Sequence, residues 1–466
     1  MLESIQRVHL VGIGGAGLSA IAKVLIQQGK TVTGSDLQLS AATEALAALG
    51  AVIHQGHRAE NLGSAELVVV SSAIRGQNPE LVAARERRIP IVKRDVLLGE
   101  MMQGQRGIAV AGTHGKTTTT AMVAFCLSRL RLDPTFIVGG VLVNLGTNAQ
   151  AGRGEHFVVE ADEYDRMFLG LRPRFAIVTN VEYDHPDCFA DEADLLSAFR
   201  AFVALPSLGQ SAGSVILCGD SPAALSIRDS ARLRGVVTYG FGDQNDYRIM
   251  SPQTTATGSE FSVAHDSRWL ADARLTLPGR HNMLNACGAL ALCHRLGLDL
   301  KAAALALAEF GGTQRRFEVK GETRGVTVID DYAHHPTEIR ATLAAARERY
   351  GARRIWAVFQ PHTYSRTRVL LNDFAQAFGD ADAVILTEIF ASRETDTLNM
   401  NSAQLLARMD HPQKVFCATL AEAVELLRRR VQPGDVVITL GAGDVNWVGL
   451  QLLQPAIAQP IERLAS

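Results

Sequence analysis

Residues 112–120 read Gly112-Thr113-His114-Gly115-Lys116-Thr117-Thr118-Thr119-Thr120, between the apolar run 107–111 and a helix-like segment that begins at Ala121. A glycine turn that leads from a strand into a helix points several backbone N–H groups at one spot. Lys116 adds a positive charge there, and Thr117 offers a hydroxyl group to Mg²⁺. The segment therefore predicts a phosphate-binding loop in an α/β sheet.

The spacing of this loop differs from that of the common P-loop, in which a first glycine lies five residues before the Gly-Lys pair. Val110 occupies that position, and the upstream glycine of the loop is Gly112. A glycine-rich turn with a surface lysine is therefore the alternative interpretation. The neighbouring segments favour nucleotide binding.

The composition is typical of a globular enzyme with small-molecule partners. Of the 466 residues, 47% are hydrophobic and 20% are charged, and the formal net charge of -2 argues against nucleic-acid or membrane-surface binding. The six cysteines form no CxxC pair, and no apolar run approaches the ~18 residues of a membrane span. We expect a cytoplasmic protein with free thiols, present as a monomer or a homodimer.

Short apolar runs alternate with helical patterns along the chain, which predicts parallel sheets with helical crossovers. At ~100 to 200 residues per domain, the length suggests about three domains. We expect a Rossmann-like domain at 1–104, a central P-loop ATPase-like domain at 105–313, and a second Rossmann-like domain at 314–466. Short alternating segments at 236–277 predict an antiparallel flank on the central, mostly parallel sheet.

A second glycine turn follows the first predicted strand. Gly12-Ile13-Gly14-Gly15-Ala16-Gly17 matches GxGxxG, and Asp36 ends the next strand nineteen residues beyond Gly17. The pattern fits a dinucleotide, but the same geometry holds any pyrophosphate, and a purely structural turn is the third interpretation. Ser71 and Ser72 follow a later strand at the same sheet edge.

Carboxylates end two strands of the central block. Glu160-Ala161-Asp162-Glu163 follows one strand, and the run 179–185, which ends in Asp184-His185, follows the next. Carboxylates beside a P-loop commonly hold the Mg²⁺ that bridges nucleotide phosphates. His185 is a candidate second metal ligand, and the alternative is a capping residue before Pro186.

Further polar clusters follow. His281, Asn282 and Asn285 open a predicted helix, with Asn282 as its expected N-cap and an amide suited to an adenine edge. The third block carries the clusters 314–317, 330–336 and 360–366. Arginines there would offset charge during phosphoryl transfer, whereas zinc is not expected because the histidines lack a third close ligand. Together these sites suggest that a carboxylate is activated as an acyl phosphate and then attacked by an amine.

The ordered motifs resemble the Mur ligase family. They are the phosphate loop, Glu160-Ala161-Asp162-Glu163-Tyr164-Asp165, Asn180-Val181-Glu182-Tyr183-Asp184-His185-Pro186-Asp187, Asp330-Asp331-Tyr332-Ala333-His334-His335-Pro336, and Phe359-Gln360-Pro361-His362. The resemblance covers nearly the whole chain and is strongest to the members that add L-alanine. It implies ATP-dependent ligation of L-alanine to the lactyl carboxylate of UDP-N-acetylmuramate in peptidoglycan precursor synthesis, with ATP and two Mg²⁺ ions as cofactors.

The resemblance also implies roles for individual residues. Lys116 would contact the γ-phosphate, Thr117 and Glu160 one Mg²⁺, and His185 the second. The other expected ATP-binding residues are Gly112, Thr113, His114, Gly115, Thr118, His281, Asn282, Asn285, Arg316 and Asp331. The expected substrate-binding residues are Gly14, Gly15, Ala16, Gly17, Asp36, Ser71, Ser72, Asn144, Thr147, Asn148, Tyr332, His334, His362 and Arg366. Of these residues, Lys116, Glu160, His185, Arg316, His334 and Arg366 are the expected catalytic set.

Two positions depart from the family pattern. Thr363 stands where some members have an arginine, so the amino-acid carboxylate would depend more on Arg366. The helical stretch 195–203 has Arg200 and no lysine, so no carbamylated lysine is expected. Three alternatives stay open: a recycling ligase that attaches a tripeptide, an NAD-dependent oxidoreductase, and a non-catalytic UDP-sugar sensor.

Overall fold

The computed structural model describes residues 2–208, 213–231, 235–392, 394–396 and 398–455. The described residues form three sheets, and the chain divides into two compact units between Gln314 and Arg315. The end of the predicted third domain, 456–466, lies outside the described residues. No helix in the described part of the chain has the length and apolar character needed to cross a membrane.

The first sheet is entirely parallel and has the strand order β3-β2-β1-β4-β5. Its strands are β1 (Arg7–Val11), β2 (Thr31–Asp36), β3 (Val52–Gln55), β4 (Leu67–Val70) and β5 (Ile91–Lys93). Its helices are α1 (Ala16–Gln27), α2 (Ala41–Ala48), α3 (Pro79–Glu86) and α4 (Arg94–Met101), with 3-10 turns at Leu2–Ser4 and Ala59–Leu62. This strand order matches five strands of the 3-2-1-4-5-6 order of dinucleotide-binding sheets, whose ligands bind at the carboxyl ends of the strands.

The central sheet has ten strands in the order β15-β14-β13-β12-β11-β10-β6-β9-β7-β8. They are β6 (Arg106–Ala111), β7 (Thr135–Leu142), β8 (Thr147–Gln150), β9 (His156–Glu160), β10 (Phe175–Val178), β11 (Ser214–Cys218), β12 (Val236–Gly240), β13 (Tyr247–Thr255), β14 (Gly258–His265) and β15 (Arg268–Leu275). Pairing is parallel from β7 to β13 and antiparallel at β13-β14, β14-β15 and β7-β8. The expected antiparallel flank is therefore present.

The helices around this sheet are α5 (Lys116–Arg129), α6 (Glu192–Ala204), α7 (Pro222–Ser226), α8 (Arg280–Arg295) and α9 (Leu300–Ala308), with 3-10 segments at Tyr164–Gly170, Leu205–Leu208 and Arg228–Ala231. Alternate residues of β6 enter two different core clusters: Ala109 packs in the cluster that includes the first sheet, and Val110 packs in the cluster with α5 and α8. Because both faces of β6 are covered, the strand is a continuous apolar run.

The second unit contains a six-stranded sheet in the order β16-β17-β21-β18-β19-β20, in which only β16-β17 is antiparallel among the described pairs. Its strands are β16 (Glu318–Thr323), β17 (Val326–Asp331), β18 (Ile355–Phe359), β19 (Ala383–Leu386), β20 (Lys414–Phe416) and β21 (Val436–Leu440). Its helices are α10 (Pro336–Tyr350), α11 (Tyr364–Val369), α12 (Leu371–Ala375), α13 (Ser402–Arg408), α14 (Leu420–Arg430) and α15 (Asn446–Leu453). The expected three-domain α/β class is confirmed.

Two helix starts differ from the prediction. α5 begins at Lys116 and not at Ala121, because the run 117–120 is buried and tertiary packing outweighs the weak helix propensity of threonine. The prediction that Asn282 caps α8 is wrong. The N-cap of α8 is Gly279, whose φ of 95° suits glycine, and the Asn282 amide instead donates to the carbonyl of Pro278 over 2.8 Å.

Candidate active site

The phosphate loop joins β6 to α5, and two of its glycines are required by close neighbours. Gly112 has a φ of 138°, and a Cβ atom there would lie 2.0 Å from Thr179 Oγ1. Gly115 has a φ of 78°, and its Cβ would lie 2.5 Å from Asn285 Oδ1. The predicted adenine-side residue Asn285 therefore packs directly against the predicted phosphate loop.

The segment after β10 braces the same loop. Asn180 accepts from the backbone N–H of His114 at 2.9 Å, and the hydroxyl of Thr113 donates to the carbonyl of Glu182 at 2.8 Å. The His114 ring nitrogen Nε2 lies 3.0 Å from Glu182 Oε2. The phosphate loop and the run 179–185 are thus joined by hydrogen bonds.

Lys116 folds back on its own loop. Its ammonium group donates to the carbonyls of Gly112 (2.6 Å) and Thr113 (3.0 Å) and to Glu163 Oε1 (2.8 Å). Burial opposes the charge of this group, but the neighbouring carboxylates, Glu163 foremost, outweigh burial and raise the pKa of Lys116. The lysine is therefore a cation in the site.

Glu160 bridges the loop and the middle of β7. Its Oε1 accepts from the Thr117 hydroxyl at 2.9 Å, and its Oε2 accepts from the backbone N–H of Gly139 at 2.7 Å. Thr117 and Thr118 lie in the buried first turn of α5. The two predicted ligands of the first Mg²⁺ are thus in direct contact.

His185 lies near this cluster in a left-handed backbone conformation, with a φ of 56°. Its Nε2 is 3.7 Å from Glu163 Oε1 and 3.7 Å from Asp184 Oδ2. The residues fit a divalent cation, because hydroxyl and carboxylate oxygens are the donors that Mg²⁺ prefers. A further oxygen, Glu163 Oε2, is buried and has no hydrogen-bond partner in the described part of the chain.

The predicted adenine-side residues occupy the first turns of α8. Asn282 and Asn285 are buried and contact each other, with Nδ2 of Asn285 3.4 Å from Oδ1 of Asn282, and His281 is half-buried beside them. Arg280 stacks over the Phe241 ring at 3.9 Å. Neither residue of that stacked pair was singled out from the sequence, because a cation–π pair carries no spacing signal.

The N-terminal glycine turn leads from β1 into α1. The N–H of Gly14 donates to Asp36 Oδ2 at 2.9 Å, and Ser71 lies against Gly12, whose Cβ would be 3.2 Å from Ser71 Cβ. The predicted residues of this turn are Gly14, Gly15, Ala16 and Gly17, and Ser72 is exposed at the same sheet edge. Asp36 and the glycines are therefore brought together as expected.

A cavity of about 210 Å³ connects this turn with the central domain. Its lining includes Ala16 and Gly17 from the turn and Glu160 from the metal cluster. Arg94 crosses the cavity wall, where its guanidinium donates to Asp162 at 2.5 Å, and a Cβ on Gly17 would lie 2.3 Å from Arg94 Nη1. Arg94 belongs to no motif and was not selected from the sequence.

Three of the expected substrate-binding residues lie on β8 and in the turn before it. The amide of Asn144 accepts from the N–H of Gly311 (2.6 Å) and donates to the carbonyl of Glu309 (2.8 Å). The Thr147 hydroxyl accepts from Lys23 at 2.6 Å, and Asn148 is half-buried. Asn144 thus braces the segment before residue 314.

In the second unit, two arginines flank one aromatic ring. The guanidinium groups of Arg315 and Arg316 lie 5.0 Å and 5.2 Å from the centre of the Tyr332 ring. Arg315 also donates to Asp330 at 3.1 Å, and Arg316 lies 3.7 Å from Glu338. Arg315 was not selected from the sequence, although it adjoins the predicted Arg316.

Asp331 is buried, and its carboxylate accepts from two backbone N–H groups, those of Phe317 (2.8 Å) and Ala333 (2.7 Å). Burial raises the pKa of Asp331 to about 6, against the charge of Arg316 and these hydrogen bonds. The carboxylate thus fixes the backbone around the arginine pair, and its expected contact with ATP stays a prediction.

The remaining predicted residues of the second unit form a chain of contacts. His334 Nδ1 lies 2.9 Å from the carbonyl of Tyr332, and the His334 and His362 rings are 5.8 Å apart. Arg366 is buried, with Nη1 3.2 Å from His362 Nδ1, and the Phe390 ring stacks on His362. These four expected substrate-binding residues therefore adjoin one another.

Three family models match successive parts of the chain. The Mur ligase family catalytic domain matches residues 7–106, the Mur ligase middle domain matches 110–293, and the Mur ligase glutamate ligase domain matches 315–443.

Curated relatives and solved structures match over nearly the full length. UDP-N-acetylmuramate--L-alanine ligases of Thermobifida fusca and Acidobacterium capsulatum are 44% and 43% identical, over 97% of this chain and 97% and 98% of theirs. The alanine ligase MurC of Thermotoga maritima has a TM-score of 0.79 at 31% identity, and the murein peptide ligase of Psychrobacter arcticus has 0.73 at 26%; each alignment covers 96% of this chain and 98% of the other. The chain belongs to the Mur ligase family.

Proposed function

We propose that this protein is an ATP-dependent ligase that joins L-alanine to the lactyl carboxylate of UDP-N-acetylmuramate, releasing ADP and phosphate, in peptidoglycan precursor synthesis. One observation carries the proposal: the cavity that the N-terminal glycine turn shares with Glu160. It joins a diphosphate-binding turn to a nucleotide-metal cluster, as the activation of a sugar-nucleotide carboxylate requires. The alanine-ligase names of full-length relatives at 42–44% identity support it.

The phosphate loop is assigned to ATP. The backbone N–H groups in the first turn of α5 suit the phosphates, since they lack partners within the helix, and Lys116 offsets negative charge on the migrating phosphoryl group. Thr117 and Glu160 would hold one Mg²⁺ and His185 the second, and the ions supply charge neutralisation of the phosphates when bound. His281, Asn282 and Asn285 are assigned to the adenine side.

The N-terminal glycine turn is assigned to the diphosphate of UDP-N-acetylmuramate, with Asp36, Ser71 and Ser72 at the same sheet edge. The N–H groups at the start of α1 suit this anion, since they lack partners within the helix. Asn144, Thr147 and Asn148 are assigned to the muramoyl side.

The second unit is assigned to the amino acid and the acyl phosphate, through Tyr332, His334, His362 and Arg366. Arg316 and Asp331 are assigned to ATP. An imidazole nitrogen can accept the proton that the ammonium group of the amino acid must release before its nitrogen attacks.

Small molecules, namely UDP-N-acetylmuramate, ATP and L-alanine, are the proposed partners, and the cytoplasm is the proposed compartment. The proposed state is a monomer or a homodimer, which sedimentation of the purified protein decides. The proposed domain limits are 1–104, 105–313 and 314–466.

Phosphate release from ATP with UDP-N-acetylmuramate and a panel of amino acids tests the function. L-Alanine is expected to give the fastest turnover. Faster turnover with the tripeptide L-alanyl-D-glutamyl-diaminopimelate would identify the recycling ligase, and reduction of NAD in place of phosphate release would identify an oxidoreductase. Binding of the UDP-sugar without any phosphate release would identify a sensor.

Lys116→Ala tests the phosphate loop. Phosphate release is expected to fall at least about a hundredfold, because a preorganised charge on the migrating group is lost, while UDP-N-acetylmuramate binding is retained. Lys301→Ala is the matched control, since Lys301 is exposed on α9, where it lies over the Trp269 ring of β15. Undiminished ATP turnover in Lys116→Ala would contradict the assignment.

A further inference from the structure

The ammonium group of Lys116 has no hydrogen-bond capacity left for a phosphate. A lysine has three donors, and three acceptors take them: two carbonyls of its own loop at 2.6 and 3.0 Å and Glu163 Oε1 at 2.8 Å. If Lys116 contacts a γ-phosphate, as the proposed function requires, it has to give up at least one of these bonds.

Of the three acceptors, Glu163 is the one most affected if Lys116 moves away, because it loses the cation that it is paired with. Its side chain is 2% exposed, and Lys116 is the only cation within 3 Å of it in the described part of the chain. A buried carboxylate that loses its cation is costly, and bound phosphates would add negative charge beside it. Another cation therefore has to approach Glu163 when Lys116 turns to the nucleotide.

Two features mark where that cation would bind. Glu163 Oε2 is buried and has no hydrogen-bond partner in the described residues, which is rare for a carboxylate oxygen. His185 Nε2, an expected metal ligand, lies 3.7 Å from the other carboxylate oxygen. A permanent structural ion pair would be expected to satisfy both oxygens, whereas an exchangeable one leaves an oxygen for the second cation.

We propose that Glu163 is a positioning residue that exchanges cations: it holds Lys116 on its own loop while no nucleotide is bound, and takes a divalent cation beside His185 when ATP takes the lysine. The inference rests on the proposed ATP site. The exchange couples the binding of nucleotide to the binding of metal. Because such a coupling is reciprocal, each ligand raises the affinity of the protein for the other. If residue 163 carries no charge, it needs no cation after Lys116 turns to ATP. ATP binding then depends less on the metal.

AMP-PNP binding is measured by calorimetric titration, once with Mg²⁺ present and once with EDTA in its place. The coupling is the dissociation constant in EDTA divided by the dissociation constant in Mg²⁺. Glu163→Gln is expected to bind metal-free AMP-PNP more tightly than the unaltered protein and to lower the ratio at least about tenfold. Asp165→Asn is the matched control, because Asp165 lies in the same segment but is exposed and pairs with Lys93; its ratio should stay within about twofold of the unaltered protein's.

An unchanged ratio in Glu163→Gln, or weaker metal-free binding, would overturn the exchange. If the unaltered protein failed to bind Mg²⁺·AMP-PNP at all, the proposed function would fail instead. The two failures are therefore distinguishable.

A second variant decides the matter should Glu163→Gln not fold. Lys116→Met removes the resident cation, so Mn²⁺ alone should bind this variant without nucleotide, with one more ion per chain by electron paramagnetic resonance and a raised melting temperature. The unaltered protein and Lys116→Met/Glu163→Gln should show neither effect. Equal Mn²⁺ binding by Lys116→Met and the unaltered protein would overturn the proposal.

Discussion

Glu80→Gln should weaken the N-terminal domain through a buried network. Glu80 is fully buried in the first turn of α3 and accepts from Ser35 Oγ (2.6 Å) and Asn61 Nδ2 (2.6 Å). Nδ1 of His57 lies 3.1 Å from one carboxylate oxygen, and Nε2 of His9 lies 3.6 Å from the other. A glutamine at this position has the same shape as glutamate, but it offers no negative charge to these four groups.

The pKa of Glu80 sets the magnitude. Burial alone would raise the pKa, but the interactions with His9, Ser35 and Asn61 outweigh burial and lower it from 4.5 to about 2. This difference corresponds to about 3 kcal/mol of folding free energy. Because the folded pKa lies below the unfolded one, the contribution is fully present above pH 4.5 and is lost as the pH falls toward 2.

Native-state hydrogen exchange read by mass spectrometry is the appropriate assay, because a multidomain chain has no single unfolding free energy. Peptides from β1, β2 and α3 should lose about a hundredfold of protection in Glu80→Gln near pH 7, since 1.4 kcal/mol is a factor of ten. The difference in protection between the variant and the unaltered protein should narrow at about pH 3, because the carboxylate is then protonated in the unfolded state and part of its contribution is lost. Glu86→Gln, at the exposed end of the same helix, is the matched control. An equal difference in protection at pH 7 and pH 3, or no difference at either pH, would refute the argument.

Two substitutions in the phosphate loop follow from the same geometry. Gly115→Ala should weaken Mg²⁺·AMP-PNP binding at least about tenfold by calorimetry, because alanine disfavours a φ of 78° and its Cβ would meet Asn285; unchanged affinity would contradict the close contact. Thr117→Val should lower Mg²⁺-dependent phosphate release by about tenfold, since Glu160 loses its hydroxyl partner. Thr120→Val is its control, because the Thr120 hydroxyl only bonds a carbonyl one helical turn earlier, and equal losses in the two variants would argue against a role in metal binding.

Strands buried on both faces were predictable from the sequence alone. The apolar runs 175–178, 355–359, 383–386 and 436–440 of the sequence coincide with β10, β18, β19 and β21. Each is wholly buried, so its sequence is a short continuous apolar run between turn residues. The glycine turns were also recognisable, because only glycine tolerates their backbone conformations and close neighbours.

Edge strands and helix starts were not predictable in the same way. β3, β5 and β16 are short or half-exposed, and no residue in them is buried, so they carry no apolar run. Pairing with a neighbouring strand, rather than composition, defines them. The four threonines at the start of α5 similarly carry no helical signal, since packing against the core decides their conformation.

Among site residues, the sequence identified those at strand ends but not the partners that orient them. Glu163 was part of a quoted acidic run, yet nothing in its spacing separated it from Asp162; the structure pairs one with Lys116 and the other with Arg94. Burial makes the difference: Glu163 is 2% exposed, and Asp162 is 41% exposed. Such a difference arises only once the chain has packed.

The Asp330-Asp331 pair shows a structural reason why the sequence does not tell which of two adjacent acids binds a ligand. Consecutive residues of a strand point to opposite faces of the sheet, so two adjacent carboxylates cannot serve one ligand from the same side. Asp330 indeed bonds Arg315 and the Thr439 hydroxyl, whereas Asp331 takes two backbone N–H groups. A double-acid motif at a strand end therefore predicts two separate roles. Which acid binds a ligand depends on what covers each face, and a single sequence does not carry that information.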